Sequence, residues 1–255
     1  LSVGFVDGFH TPFEKTVSHP AKLPFPYPTA DDPDGFIPSR LVIEKHAEQL
    51  AAGIVEPLCL GSAGMKIYSA GYLKKLADCC AANDVLLIVD EVAMGFGRTG
   101  KRFAFNHAGI DPDMVCVGKA LTAGYMPLSA CIVKDKIYSS FSDAGEKDCT
   151  FYHGNTYAGH PIGCAAALAA LDIYEAENTV KYAADMAATM KQWMLPMAEM
   201  DCVKELPATL LLRPFNFNTL STRVYELASL ERLGEAAPAA LVHSSSRNKG
   251  KLIER

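Results

Sequence analysis

Short apolar runs alternate with helical repeats along the middle of the chain. Val85–Val89 is continuously apolar and rich in β-branched residues, Met114–Val117 and Leu128–Val133 are similar, and Ile54–Val55 is a shorter candidate. Apolar runs of this length are typical of strands that are buried on both faces. Strands that alternate with helices predict an α/β fold, in which helices flank a mostly parallel sheet.

Two helices are predicted before the middle of the chain. Ser39 is expected to cap a helix that runs from Arg40 to about Leu50, and Ser69 is expected to cap a second helix. The apolar stripe of the second helix has the spacing of one helical face. Its members are Tyr72, Leu73, Leu76, Ala77 and Cys80.

Two further helices are predicted beyond the third apolar run. One runs from His160 to about Glu175, and the next follows Asn178 as its cap and ends at Pro196. The first is expected to bury Ile162, Ala166, Ala169 and Ile173. The second carries a stripe that we interpret as packing in the core or between subunits, formed by Met186, Met190, Trp193, Met194 and Met197.

The pattern divides the chain into four segments. Residues 1–52 are irregular and rich in proline, and lead through a helix into the core at residues 53–177. Residues 178–200 form a connecting helix, and residues 201–255 have a weak pattern that resembles a solvated tail. Because the first residue is Leu1 rather than methionine, we expect a fragment that is incomplete at both ends.

Composition excludes several classes of protein. Of the 255 residues 49% are hydrophobic, which is enough for a core and excludes disorder of the whole chain. The net charge of −5 argues against a nucleic-acid partner, and no apolar run is long enough for a membrane span. The eight cysteines form no Cys-x-x-Cys pair and the histidines lack ligand spacing, so we expect free thiols, no metal site and a cytoplasmic location.

An acid and an amine follow two of the predicted strands. Asp90 comes directly after Val85–Val89, and Lys119 follows Met114–Val117. Parallel strands place both side chains at one carboxyl edge, where open α/β sheets bind ligands. A simple ion pair is one interpretation. The other is a lysine in an apolar pocket that forms a Schiff base with pyridoxal phosphate, while the acid keeps the pyridine nitrogen protonated.

A glycine motif overlaps this region. Gly95–Gly100 matches the G-x-G-x-x-G pattern of dinucleotide-binding sites. The match is incomplete, because five residues separate it from the preceding strand and the next acids flank Pro112 in a predicted turn. A nicotinamide dehydrogenase is therefore the less favoured alternative.

Three motifs, in order and correctly spaced, carry a resemblance to a known family. Residues 90–100 read DEVAMGFGRTG, residues 111–122 read DPDMVCVGKALT, and residues 151–161 read FYHGNTYAGHP. Together they resemble the signature of the class III aminotransferases of fold type I, over roughly residues 1–200. The resemblance implies the large domain of that fold, pyridoxal 5'-phosphate as cofactor, and an amine donor and a keto acceptor as small-molecule substrates.

The resemblance also implies roles for individual residues. Lys119 would hold the cofactor aldehyde and act as the catalytic base, while Asp90 would pair with the pyridine nitrogen. Val92 would pack on the ring face, and Glu56 would support the site. Thr156 would bind the cofactor phosphate across the interface of a homodimer, so that the two active sites are shared.

Three further residues are expected to contact the substrate. Gly154 and Asn155 belong to the third motif. Arg213 lies in a Leu-Arg-Pro segment that resembles a family segment whose arginine binds a substrate carboxylate. A chance match is the alternative for Arg213, because the segment follows the last predicted helix too soon.

Departures from the common family pattern indicate a branch. Residues 61–64 lack a glutamate residue that, in many members, gates an arginine for the substrate glutamate. Ala93 stands where many members have glutamine. Met94 and His160 also replace the usual Thr and Asn. The segment Ser62–Met65 resembles the branch of biotin synthesis that converts 8-amino-7-oxononanoate to 7,8-diaminononanoate. A generic ω-aminotransferase and an inactive truncated fragment are the alternatives.

Overall fold

The computed structural model describes residues 3–4, 10–18, 20–142 and 151–198. Within these ranges the chain forms five α-helices and six strands. The helices are α1 (Ile37–His46), α2 (Ala70–Ala82), α3 (Asp135–Ser142), α4 (Pro161–Ala176) and α5 (Thr179–Ala198). The strands are β1 (Ala52–Val55), β2 (Cys59–Leu60), β3 (Lys66–Ile67), β4 (Leu86–Asp90), β5 (Met114–Val117) and β6 (Ala130–Val133).

Four of the strands form one sheet in the order β1-β4-β5-β6. The first three are parallel, with Val55 opposite Val89 and Asp90 opposite Cys116. β6 is antiparallel to β5, and β2 and β3 form a separate hairpin. The predicted α/β fold with a mostly parallel sheet is therefore confirmed, and each of the predicted apolar runs contains a strand.

The main core lies between one face of the sheet and α2. Val85, Leu87 and Val89 are buried against a helix stripe that includes Leu73 and Leu76. The alternate side chains of β4 are only half-buried, so burial on both faces was a wrong expectation for the part of the chain described. The strand has the composition of a buried strand, but one of its faces is only partly covered.

The two predicted serine caps have different outcomes. The Ser69 hydroxyl accepts a hydrogen bond from the Tyr72 N–H at 3.0 Å, which confirms it as the cap of α2. Ser39 lies inside α1, buried, and its hydroxyl is 2.9 Å from the Tyr72 hydroxyl. The first turn of α1 is instead closed by Asp32, whose carboxylate accepts from the Ile37 N–H at 2.6 Å.

The last two helices, α4 and α5, differ in detail from their predictions. α4 buries the small residues Gly163, Ala167 and Ala170, whereas Ile162 and Ile173 of the predicted stripe are exposed. Small side chains let α4 approach the turn that follows β5, so close packing rather than hydrophobicity selects the buried face. α5 continues two residues beyond Pro196. No described helix combines the length and apolarity needed to cross a bilayer.

The core between α2 and β4 provides a test of the fold. Leu73 is fully buried, whereas Leu41 on α1 is 56% exposed. We expect Leu73→Ala to lower the free energy of unfolding by about 3 kcal/mol, because it leaves a cavity, and Leu41→Ala to change it by less than about 0.5 kcal/mol. Urea denaturation measures both, and equal losses would contradict this packing.

Candidate active site

The ends of three neighbouring parallel strands carry titratable side chains. Glu56 follows β1, Asp90 ends β4, and Lys119 lies two residues beyond β5. Burial raises the pKa of the Glu56 carboxyl, the Gly61 N–H lowers it, the charge of Asp90 raises it, and the charge of Lys119 lowers it. The strand ends therefore bring these three groups into electrostatic range of one another.

Lys119 occupies a strained backbone position. Its φ is +45°, in the left-handed region that few residues other than glycine adopt. Strain of this kind persists only where surrounding contacts enforce it, and it concentrates at functional sites. The residue starts a short 3₁₀ turn, Lys119–Thr122, directly after Gly118.

The Lys119 side chain is exposed, and its amine makes no hydrogen bond or ion pair with any described residue. The expected apolar pocket around the amine is therefore not observed in the described part of the chain. The alternative of a direct ion pair between Asp90 and Lys119 is also not observed. The amine stands open to solvent at the sheet edge.

Two hydrogen bonds fix the turn that carries Lys119. The Tyr174 hydroxyl on α4 donates to the Ala120 carbonyl at 2.6 Å. The buried Thr122 hydroxyl donates to the Met126 carbonyl, also at 2.6 Å. The turn is therefore held from the helix on one side and from its own following loop on the other.

Asp90 is oriented by the backbone that follows it. One carboxylate oxygen accepts from the Val92 N–H at 3.0 Å, and the residue is half-buried. The Val92 side chain lies beside Gly118, where an added Cβ would be 3.4 Å from Val92 Cγ1. Val92 thus sits between the end of β4 and the turn of Lys119.

Glu56 supports the neighbouring hairpin. Its Oε2 atom accepts from the Gly61 N–H at 2.7 Å, while the Tyr68 hydroxyl donates to the Glu56 carbonyl at 2.6 Å. Residues 61–65, which distinguish this chain from the common family pattern, form the turn between β2 and β3. Glu56 therefore ties this turn to the end of β1.

Glu91 was not among the candidate residues predicted from the sequence. It is fully buried, and its Oε1 atom accepts from the Phe105 N–H at 2.8 Å, while Oε2 has no hydrogen-bond partner among the described residues. Burial raises the pKa of this carboxyl, partly offset by the N–H groups of Phe105 and Ala104. The only signal for Glu91 in the sequence was its position directly after Asp90, and no local pattern predicted the burial of its side chain.

The glycine motif does not have the structure of a dinucleotide-binding loop. Residues 92–100 form consecutive turns, and no helix begins there. Gly97 has a φ of +95° and lies against Val180 of α5. The lack of a side chain at this position therefore permits both the turn conformation and the close packing. A dinucleotide fingerprint requires the glycines to open a helix, and the nicotinamide alternative is therefore wrong.

Within the described part of the chain, the third motif, residues 151–161, makes local hydrogen bonds rather than bonds to the residues at the strand ends. Gly154, Asn155 and Thr156 are exposed, and no hydrogen bond among the described residues links them to Glu56, Asp90 or Lys119. The Asn155 carbonyl accepts from the Ala158 N–H at 2.9 Å, which is a local turn. His160 then caps α4 through Nδ1, which accepts from the Gly163 N–H at 3.1 Å. Arg213 lies outside the described residues.

Comparison with known proteins gives a consistent result. The family model "Aminotransferase class-III" matches residues 1–230. The chain is 37% identical over 215 residues to an adenosylmethionine-8-amino-7-oxononanoate aminotransferase of Anoxybacillus flavithermus, covering 81% of this chain and 47% of that protein. The protein of the same name from Methanocaldococcus jannaschii is 46% identical over 144 residues, covering 55% of this chain and 31% of that protein.

Solved structures of transaminases share the fold. The crystal structure of the Methanocaldococcus jannaschii protein superposes with a TM-score of 0.69 at 36% identity, over 77% of this chain and 45% of that one. An (S)-enantioselective ω-transaminase from Thermomicrobium roseum gives 0.59 at 38% identity, over 65% of this chain and 36% of that one. The chain spans about half the length, or less, of these relatives.

The hydrogen bond from Tyr174 to the Lys119 turn can be tested by its removal. We expect Tyr174→Phe to lower the free energy of unfolding by about 1 kcal/mol and to speed amide hydrogen exchange in residues 118–123. Tyr182→Phe is the matched control, because Tyr182 is 64% exposed and its hydroxyl has no partner among the described residues. Unchanged exchange in the Tyr174 variant would show that α4 does not hold the turn.

The buried Glu91 predicts a specific pH dependence of stability. Because the pKa of the Glu91 carboxyl is raised in the folded state, the folded protein keeps this carboxyl protonated at pH values above its unfolded pKa. The wild type therefore loses stability as the pH rises from the unfolded pKa through the folded pKa. We expect the free energy of unfolding to fall, relative to Glu91→Gln, between about pH 5 and about pH 8. Urea denaturation at both pH values measures the difference. Glu177→Gln, at an exposed position, should show none.

Proposed function

The chain belongs to the class III aminotransferase family, and we propose that it carries the lysine-bearing part of a pyridoxal-phosphate-dependent aminotransferase. The observation that carries this proposal is the amine of Lys119, without a partner among the described residues, on a strained turn at the same sheet edge as Asp90 and Glu56. Backbone strain of this kind concentrates at functional sites, which supports a functional role for the amine.

The residues present at this edge fit pyridoxal phosphate. An aldehyde requires a free amine, which Lys119 offers, and a pyridinium nitrogen requires a carboxylate, which Asp90 offers. One oxygen of Asp90 is held by the Val92 N–H, and the other accepts no hydrogen bond from the described residues. The apolar Val92 side chain, beside Gly118, gives a ring an apolar surface between the two.

Lys119 and Asp90 would perform different parts of the chemistry. Bound pyridoxal phosphate supplies an electron sink that makes the carbon bearing the substrate amine acidic. Lys119 Nζ would hold the cofactor aldehyde until the donor amine displaces it, and the freed Lys119 amine would then carry the proton, as base and then as acid. Asp90 would keep the pyridine nitrogen protonated, because its carboxylate would stabilise the positive charge.

The remaining site residues would act around this centre. Glu56 holds the turn of residues 61–65 to the end of β1 through the Gly61 N–H. Thr156 would bind the cofactor phosphate from the partner subunit of a homodimer, which is supported by its exposure and by its having no hydrogen bond to the strand ends among the described residues. Gly154, Asn155 and Arg213 would contact the substrate.

For the reaction, we propose amination of 8-amino-7-oxononanoate in biotin synthesis, with small-molecule donor and acceptor and a cytoplasmic location. The support is the shared name of relatives that are 37% and 46% identical. A generic ω-aminotransferase is the second candidate, favoured by the similarity to an ω-transaminase structure at a TM-score of 0.59. Comparing 8-amino-7-oxononanoate with a simple ketone as acceptor distinguishes them.

Reductive labelling tests the role of Lys119. We expect pyridoxal phosphate to produce a yellow complex with the chain, and borohydride to fix the pyridoxyl group to Lys119 in peptide mapping. Lys119→Arg should abolish the label, whereas Lys74→Arg on the outer surface of α2 should retain it. A label at another lysine would refute the assignment, and no spectral change would favour an inactive fragment.

A further inference from the structure

Two cysteines face each other across the last two strands of the four-stranded sheet. Cys116 on β5 is directly opposite Cys131 on β6 in the antiparallel register. Both are free thiols, and Cys116 is half-buried while Cys131 is exposed. The pair has no part in the proposed aminotransferase chemistry, so its own chemistry is independent of that proposal.

The backbone hydrogen bonds define what kind of pair this is. The Cys116 carbonyl accepts from the Glu91 N–H at 2.8 Å, so the backbone of Cys116 bonds toward β4 and away from β6. On the other side, the Lys134 N–H donates to the Asp113 carbonyl at 3.1 Å, which marks residues 113 and 134 as a hydrogen-bonded pair. Since pairs alternate along an antiparallel ladder, Cys116 and Cys131 form a non-hydrogen-bonded pair.

That position has the spacing of a disulfide. The Cα atoms of a non-hydrogen-bonded antiparallel pair are about 4.5 Å apart and their side chains approach each other, which lies within the range of about 4.4–6.8 Å that disulfides span. The side chains do interact, because the Cys131 thiol contributes to the raised pKa of Cys116. A cross-strand pair with this general spacing can be bridged without backbone movement.

We propose that Cys116 and Cys131 form a reversible disulfide in the presence of a small-molecule disulfide such as oxidised glutathione. The exposed Cys131, as thiolate, attacks one glutathione sulfur, and the glutathione disulfide bond breaks to release one glutathione thiolate. Cys116 then loses its proton and attacks Cys131 Sγ, which releases the second glutathione. The two protein thiols are oxidised, and one glutathione disulfide is reduced to two thiols.

The order of attack follows from the surroundings of the two sulfur atoms. Burial, then the charge of Cys131 and the hydrogen bond to it, and then the charge of Asp90 raise the pKa of Cys116 to about 11. Cys116 is therefore a poor first nucleophile, and closure by Cys116 is the slow step. Once formed, the bond ties β6 to the strand that leads to Lys119, in the same row of the sheet as Asp90.

Oxidation of the full chain tests this proposal without any cofactor. Cys149 and Cys202, which lie outside the described residues, are first replaced with serine so that they cannot compete. The protein is then incubated with oxidised glutathione, alkylated and digested. We expect a peptide pair linked through Cys116 and Cys131, a rise in Tm on the order of 5 °C, and reversal of both by dithiothreitol.

Single variants and an internal control make the result specific. In Cys116→Ala, glutathione should remain attached to Cys131, whereas Cys131→Ala should form no cross-link. Cys79 and Cys80 are sequence neighbours on α2 that point in different directions, and should not pair. A glutathione adduct that persists at Cys131 of the background protein, a link to another cysteine, or no reaction would each overturn the proposal.

Discussion

Parallel pairing of β1, β4 and β5 is the constraint on which the candidate site depends. The carboxyl ends of parallel strands lie at the same edge of a sheet. Glu56, Asp90 and Lys119, which follow or end three separate strands, therefore lie at one edge. Burial raises the pKa of the Glu56 carboxyl, and the charge of Asp90 raises it further, so the charged form of this edge costs free energy. The core between α2 and β4 offsets that cost, because Leu73 and Val89 help to fix the register that brings the charges together.

Hydrogen bonds to backbone groups, rather than ion pairs, hold the segments around these strand ends. Glu91 secures Phe105, Glu56 secures Gly61, and Tyr174 secures the carbonyl that follows Lys119. Such bonds restrain the path of the chain and leave the Lys119 amine without a partner among the described residues. Surface ion pairs such as that between Arg102 and Glu175 lie in solvent, where ion pairs contribute little. The Lys119 side chain therefore starts from a backbone position that these hydrogen bonds hold in a strained conformation.

Local sequence signals predicted the strands and the Ser69 cap, because those features depend on neighbouring residues. The sequence also placed Asp90 and Lys119 correctly at one edge, since this follows from parallel pairing alone. Features decided by distant contacts were missed or wrong. Ser39 is buried inside α1, where its hydroxyl hydrogen-bonds to the Tyr72 hydroxyl. α4 buries Ala167 and Ala170 instead of its isoleucines, because it packs closely against the turn that follows β5. The burial of Glu91 likewise depends on a loop fourteen residues away, which no local pattern reports.

The Lys119 side chain is exposed, whereas the proposed reaction requires a lysine that is shielded from solvent. Burial in an apolar pocket is what turns a lysine into a nucleophile, since it disfavours the charged form. The described residues supply position, strain and a neighbouring carboxylate, but they leave the amine in solvent. On our proposal, a second subunit provides the missing surface and Thr156 reaches the phosphate from there. The side chains of Tyr152 and Tyr157, which are 84% and 81% exposed, would add apolar surface beside Thr156 for that subunit to cover.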